Sequence, residues 1–341
     1  MKSQVAVAKV ADSVLAAVES AMERVRWREL IPKGERVYLK VNLTHDLLLP
    51  GAITSPLVVE GIVRMLRGWV SGIVLVESSQ LLTDADKALA RSGYPRVVRE
   101  YGLEWLNLSH GEWTRTTVEV LGNESEILVP ASLLGSTVVS VPVMKTHFRS
   151  TVSGALKNLW GCLDDMRHLY HRELPLRIAQ IHRAIPPSLH VLDATVSMEG
   201  NGPKAGHPRV TGLVLASSDP VALDSMACQV MGFFPEDVEH LTVAHRAGLG
   251  EISPGSIEVL GESVQGVNFH FAAAQKTIVA TTEDRLREGR VGRWLLEGPL
   301  LPLFNAVART WYLVWYYVLV GRRRCRPVLD HPLYGPQYGK S

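Results

Sequence analysis

Cysteine is scarce in this chain of 341 residues: three occur, Cys162, Cys228 and Cys325, far apart and with no CxxC pair. Such spacing argues against a disulfide framework, a zinc knuckle or an iron–sulfur cluster held within the chain. Net charge is nearly absent as well. Thirty-six Lys and Arg stand against 34 Asp and Glu, giving +2 at pH 7. Bulk charge therefore recruits neither nucleic acid nor anionic lipid, and a polyanion has to be met by a local patch. No nucleic acid is expected as a partner. The opening MKSQVAVAKVADSVLAAVES lacks the unbroken apolar core and small-residue cleavage site of a signal peptide, so a reducing, cytoplasmic setting is expected. Internal repeats and low-complexity tracts are missing too.

What is present is a chain with 46% hydrophobic and 21% charged residues, long enough to bury a large core. Strand-like and helix-like patterns alternate, which predicts an α/β fold of mainly parallel sheets flanked by helices. Val5–Lys9, Val37–Asn42 and GIVLVES read as strands, and the run STVVSVPVMKTH (136–147) as one more. Ser55 is expected to cap a helix that Pro56 opens, and Asp219 one that Pro220 opens and Gly232 ends. The globular pattern fades near residue 263. This predicts a core over 1–263, with two lobes meeting near 140–160, and an extension over 264–341.

Ligands of open parallel sheets sit outside the carboxyl ends of the strands, and the unusual polar residues gather at those ends. They are Lys40 with Asn42, Glu77 with Ser78, Lys145 with His147, Asp193, and Ser217 with Asp219. Taken singly, such a lysine is ordinarily a snorkelling side chain and such an aspartate a helix cap. Together they predict a site for a small anionic ligand. Lys145 and Lys157 bracket a stretch in which Ser153 and Gly154 precede a helix, whose first amides suit a carboxylate or phosphate. Asn158 adds an amide. The loop MEGNGPKAGHP (198–208) contributes Gly200, Asn201, Gly202 and Lys204, a candidate anion-binding nest. His147, Asp193 and Glu199 are the candidate proton-transfer groups. His168 and His171, three residues apart, are candidate metal ligands if their segment is helical.

Several of these stretches resemble the family described as domain of unknown function 362. The likeness is carried by KTHFRSTVSGALKNLWG (145–161), VLDATVSMEGNGPKAGHPR (191–209) and SSDPVALDSMACQVMG (217–232), with YLKVNL and TSP nearer the start. It spans about residues 35–262. Many members carry a ferredoxin-like CxxCxxCxxxCP segment, which implies electron transfer for them. This chain departs from that pattern, and its cofactor is left open. A more distant likeness is to the lactate racemase family, in which a histidine, glycine and lysine arrangement carries a nickel-pincer nucleotide on the lysine. His147, Gly154 and Lys157 resemble a reduced version of it, without the run of adjacent glycines. That likeness implies Lys157 as the first place to look for a bound anion or cofactor. The reading is an enzyme acting on a small anionic or nucleotide-like ligand; the alternative is a non-catalytic cofactor-binding or electron-transfer-associated protein.

Residues 300–320 form a strongly apolar stretch whose one charge is Arg309, and GRRRCR follows. An apolar helix is expected here, with Leu300, Phe304, Val307, Trp311, Val314 and Val318 along one face. Three readings of that face stand side by side: packing on a domain or a second copy in a homodimer, lying at a membrane surface, and spanning a bilayer. The second would make the chain peripheral at a membrane.

Overall fold

The computed structural model describes residues 2–338, apart from 165, 166, 168, 169, 172 and 276–300. Twelve strands are described: β1 (Gln4–Lys9), β2 (Arg36–Lys40), β3 (Gly72–Glu77), β4 (Glu104–Asn107), β5 (Trp113–Val120), β6 (Asn123–Pro130), β7 (Thr137–Ser140), β8 (Val143–His147), β9 (Thr151–Ser153), β10 (Leu189–Glu199), β11 (His207–Ser217) and β12 (Glu258–Gly261). Ten of them form one sheet in the order β12–β1–β11–β10–β7–β2–β3–β4, with β8 joined to β10 and β9 to β8. Strands β4, β3, β2, β7, β8 and β10 run parallel, and β11 returns antiparallel between β10 and β1. A separate hairpin pairs β5 with β6.

Alternation along the strands builds a core on each face of the sheet, because successive side chains of a strand point to opposite sides. In β1, Val5 and Val7 face one core while Ala6 and Ala8 face the other. Leu213 and Leu215 in β11 divide from Val214 and Ala216 in the same way. Helices Val14–Arg24 and Pro56–Leu66 cover one face; Leu174–Ala184, Pro220–Met231 and Glu239–Arg246 cover the other. The fold is thus the expected α/β class. The expected single strand over 136–147 is two. Pro142 has no amide hydrogen to give a ladder, so pairing breaks there; β7 meets β10 at Leu189 and His190, and β8 rejoins it at Asp193.

Two departures concern the chain's second half. Residues 264–275 fold back on the core: Phe269 and Phe271 donate backbone hydrogen bonds to Val230 and Met231, and Val264 and Phe271 are buried. Ser55 caps nothing with its side chain. Gln337 takes that role from the far end of the sequence, its Oε1 accepting the Leu57 amide at 3.1 Å and the Ser55 hydroxyl. Around it Cys325, Val328, Tyr334 and Tyr338 join the core beneath helix Pro56–Leu66. The apolar stretch forms an α-helix over Leu301–Leu313 and a π-helical segment over Val314–Leu319, followed by helix Gly321–Leu329.

Candidate functional site

Strand order reverses direction between β2 and β7, since the chain goes from β2 outward to β3 and β4 and then returns to β7 on the other side. Such a switch point opens a crevice at the carboxyl edge. Its floor is an ion pair. Lys40 ends β2 and Glu77 ends β3, both strands buried and in register, so the ammonium meets Glu77 Oε1 at 2.8 Å with both side chains sealed from water. Glu77 Oε2 accepts the Leu43 amide at 3.0 Å, Oε1 accepts the Ser78 amide at 2.9 Å, and Lys40 also donates to the Val41 carbonyl. Gly161 lies over the pair; a Cβ there would stand 2.8 Å from Glu77 Oε1.

Above the floor, Asn158 donates to the Lys40 carbonyl (2.9 Å) and the Ser140 hydroxyl (3.0 Å) and accepts from Asn42 Nδ2 (3.1 Å). Asn42 Oδ1 in turn accepts from Lys145 Nζ at 2.9 Å; Thr44 Oγ1 and the Ala52 carbonyl complete that ammonium's shell at 3.0 and 2.8 Å. All three acceptors are neutral. Burial, and then the nearby Lys157, pull the Lys145 pKa down to about 7 against the opposing pull of Glu77.

Lys157 differs from both. Among the described residues its ammonium makes no ion pair and rests over the Trp160 ring, 5.3 Å from the centroid. Burial first, then Arg149 and Arg167, lower its pKa to about 7. His147 closes β8 beside it. Its Nδ1 accepts the Arg149 amide at 3.0 Å, which leaves the proton on Nε2, and burial and the charge of Lys157 hold its pKa well below the usual histidine range. Lys204, from the loop after β10, donates to Thr83 Oγ1 at 2.8 Å, and burial lowers its pKa to about 8. A cavity of about 250 Å³ opens beside it, lined among others by His45, Lys87, Arg91, Arg309 and Tyr312. Buried His45 takes the Leu47 amide on Nδ1, and its Nε2 has no partner among the described residues. Among the described residues Asp46 is the one acid lining the cavity, against Lys87, Arg91, Lys204 and Arg309, and Glu77 is spent on Lys40.

Other expected residues are already engaged or lie away from the crevice. The amides of Ala155 and Leu156, expected to hold a ligand, are taken by Asp224, whose oxygens accept them at 2.6 and 2.9 Å. Gly154 does allow a close approach, but by that carboxylate: a Cβ would come within 2.0 Å of Asp224 Oδ1. Ser153 pairs with Lys145 across β8 and β9. Asp193 is buried mid-strand and accepts from the amides of Ser55 (2.7 Å) and Thr195 (3.0 Å) and the Thr195 hydroxyl (2.6 Å). Its pKa is pushed up to about 6 by burial. Asp219 follows antiparallel β11, so it lies at the opposite end of the sheet, where it caps its helix through Val221 and Ala222 and accepts from Ser3 and Glu251. Glu199 is paired with Arg209 at 2.7 Å. The glycine loop joins β10 to β11: the Gly200 carbonyl accepts from Thr146 Oγ1, Gly202 packs on the Thr146 carbonyl, and Asn201 Oδ1 accepts the Gln275 amide. His168 lies outside the described residues. His171 sits 5.5 Å from the Trp160 ring, and no trio of metal-ligating side chains occurs among the described residues.

Asp224, Arg149, Arg167, Thr44, Ser140 and Gly161 were not singled out by the sequence. Asp224 had a signal, an acid in the middle of the apolar helix PVALDSMACQVM. Substituting Asp224 with Ala is expected to cost about 2–3 kcal/mol by orphaning two buried amides, read as a shift in the urea midpoint. Burial raises the folded-state pKa of Asp224 from 3.8 to about 7. Its stabilising contribution is complete below the lower value and is lost as pH rises through the upper one. The stability difference between wild type and variant should therefore shrink from acid to neutral pH.

Comparison with known proteins comes down to a family of unknown function. The model of a family described as domain of unknown function (DUF362) matches residues 37–229. A thylakoid-associated protein of Synechocystis sp. is 26% identical over 250 residues, 70% of this chain and 76% of that protein. Among solved structures, the lactate racemase apoprotein of Thermoanaerobacterium thermosaccharolyticum is similar with a TM-score of 0.44 and 14% identity, over 68% of this chain and 57% of that one. A protein from Thermotoga maritima is similar with a TM-score of 0.40 and 13% identity, over 65% and 60%. The chain thus spans less than two thirds of either solved structure.

Proposed function

The chain belongs to the DUF362 family, and on that premise we propose that it is an enzyme that binds a small, multiply charged anion, such as a phosphate ester or nucleotide, at the carboxyl edge between β2 and β8. The observation that carries this reading is Lys157, a cation of lowered pKa amid Lys145, Arg149 and Arg167, with no carboxylate paired to it among the described residues. Burying Lys157 close to the like charge of Lys145 is unfavourable on its own, and an anion relieves the repulsion. Lys145 and Lys157, with pKa values near 7, are matched to proton transfer at neutral pH. His147 suits donation of a hydrogen bond from Nε2 rather than removal of a proton, and Asp193 and Glu199 already have partners.

Affinity for a probe such as pyrophosphate is expected to fall as pH rises through about 7 to 8, where Lys145, Lys157 and Lys204 lose their protons. Calorimetry in buffers of different ionisation enthalpy should show proton uptake on binding within and just above that range, where the bound anion restores protons the free lysines have lost. Binding that is strong and indifferent to pH would remove these lysines from the site. Turnover of a bound phosphate ester separates the enzyme from the alternative, a carrier that binds a cofactor without acting on it.

A further inference from the structure

The C-terminal helix is oriented the wrong way round for one packed on a water-exposed domain. Its inward contacts are the edge of the Tyr312 ring on His45, buried Trp315, and Tyr316, whose hydroxyl donates to the Leu48 carbonyl. Leu303, Val307, Trp311, Val314 and Val318 recur at intervals of four, four, three and four, and all are exposed. Val307 is 62%, Trp311 53% and Val318 73% exposed. With Leu313, Tyr317, Leu319 and Val320 they are nine of the fourteen large hydrophobic side chains exposed among the described residues. A patch so concentrated marks a surface that meets an apolar medium. The stripe expected from the sequence is therefore exposed in these four members, Val307, Trp311, Val314 and Val318, and the core of the described residues does not cover it.

Charge decides what covers it. Residues 301–329 contain no Asp or Glu and five arginines, Arg309, Arg322, Arg323, Arg324 and Arg326, of which all but Arg324 are exposed. A second copy docked on this face would bring five more cations and no carboxylate from that segment to meet them. An anionic lipid surface offers an apolar layer for the stripe and phosphates for the arginines, and Trp311 and Tyr317 have the amphipathic rings favoured at that boundary. No helix among the described residues is long and apolar enough to cross a membrane.

We propose that residues 301–326 seat this chain on the surface of an anionic lipid bilayer, with the helix lying in the plane of the interface and the arginines at phosphate level. Arg309 also lines the cavity beside Lys204, so docking holds that cavity close to the headgroup layer. The proposal stands apart from the anion site at Lys157 and does not depend on it.

Its test is co-sedimentation of the full chain with phosphatidylcholine vesicles, with and without phosphatidylglycerol. The chain should pellet with the anionic vesicles, release as salt is raised, and ignore the neutral ones. The double variant Val307→Glu/Val318→Glu should lose at least about tenfold in vesicle affinity, and Arg322→Gln/Arg323→Gln should lose the preference for phosphatidylglycerol. All four positions are exposed, so the circular dichroism and melting temperature should stay as in wild type. A chain that ignores anionic vesicles, or a double glutamate variant that binds them as well as wild type, overturns the proposal. So does a dimer that the glutamates dissolve without any vesicle binding, which would give the face to a second copy.

Discussion

Lys157→Ala is expected to weaken pyrophosphate binding by about 10- to 100-fold, the range of one lost charge-assisted contact, while leaving the fold intact. Lys157 makes no ion pair among the described residues, and its pKa is lowered by burial and by neighbouring cations, so the protonated side chain is a source of strain in the unliganded protein. Removing it relieves repulsion on Lys145 and His147, for both of which Lys157 is the largest charge contribution. The melting temperature should hold or rise slightly, and the fall in affinity as pH rises through about 7 to 8 should become shallower. Isothermal titration with pyrophosphate and a thermal melt, run on the same preparation, check both. A variant that binds as wild type does would take Lys157 out of the site; one that fails to fold would show that its stem, rather than its charge, is what the protein needs.

Glu77→Ala should be the most damaging substitution at the crevice floor, costing about 3–5 kcal/mol, because it leaves a buried ammonium uncompensated. The Lys40 side chain is 1% exposed and Glu77 3%, so water cannot step in. Two buried amides, of Leu43 and Ser78, lose their acceptor at the same time. Replacing both partners with apolar residues of similar size, Lys40→Met with Glu77→Leu, should recover much of the loss, since no charge is then stranded. Urea unfolding of wild type and the two variants gives the comparison. A loss below about 1 kcal/mol for Glu77→Ala would mean that Lys40 finds another partner or sheds its proton. The pair is thus structural in the first instance: it fixes the ends of β2 and β3, from which Asn42 and Ser78 project.

How much of the site was legible differs from residue to residue. Lys40, Asn42, Lys145, His147, Lys157, Asn158 and Lys204 stand out in the sequence as polar groups at strand ends or beside a glycine, and the fold does bring them to one edge. What they touch was not legible. Asn42 bonds both Asn158 and Lys145 across more than a hundred residues of chain, which no local pattern encodes. Asp219 sat at a strand end by the same rule, yet β11 is antiparallel and delivers it to the opposite edge. Ser153 and Gly154 likewise had the local form of an anion site, and Asp224 from a distant helix occupies it. At the other end of the chain, Gln337 caps a helix that Ser55 was expected to cap, a contact between the last described turn and an early one.

The sequence by itself determined the α/β class, the alternation that builds two cores, the family, and the lysines and histidine that crowd one set of strand ends. Those are local matters, set by the period of apolar residues and the chemistry at the end of each run. Only the tertiary structure decided strand direction, and with it which strand ends share an edge. It also decided which charges are neutralised by partners on other strands: Glu77 by Lys40 and Glu199 by Arg209, with no such partner among the described residues for Lys157. The outward turn of the apolar C-terminal stripe belongs to the same class. A helix specifies which residues share a face, but which way that face looks depends on what the rest of the chain packs against it, here through Trp315, Tyr316 and Cys325.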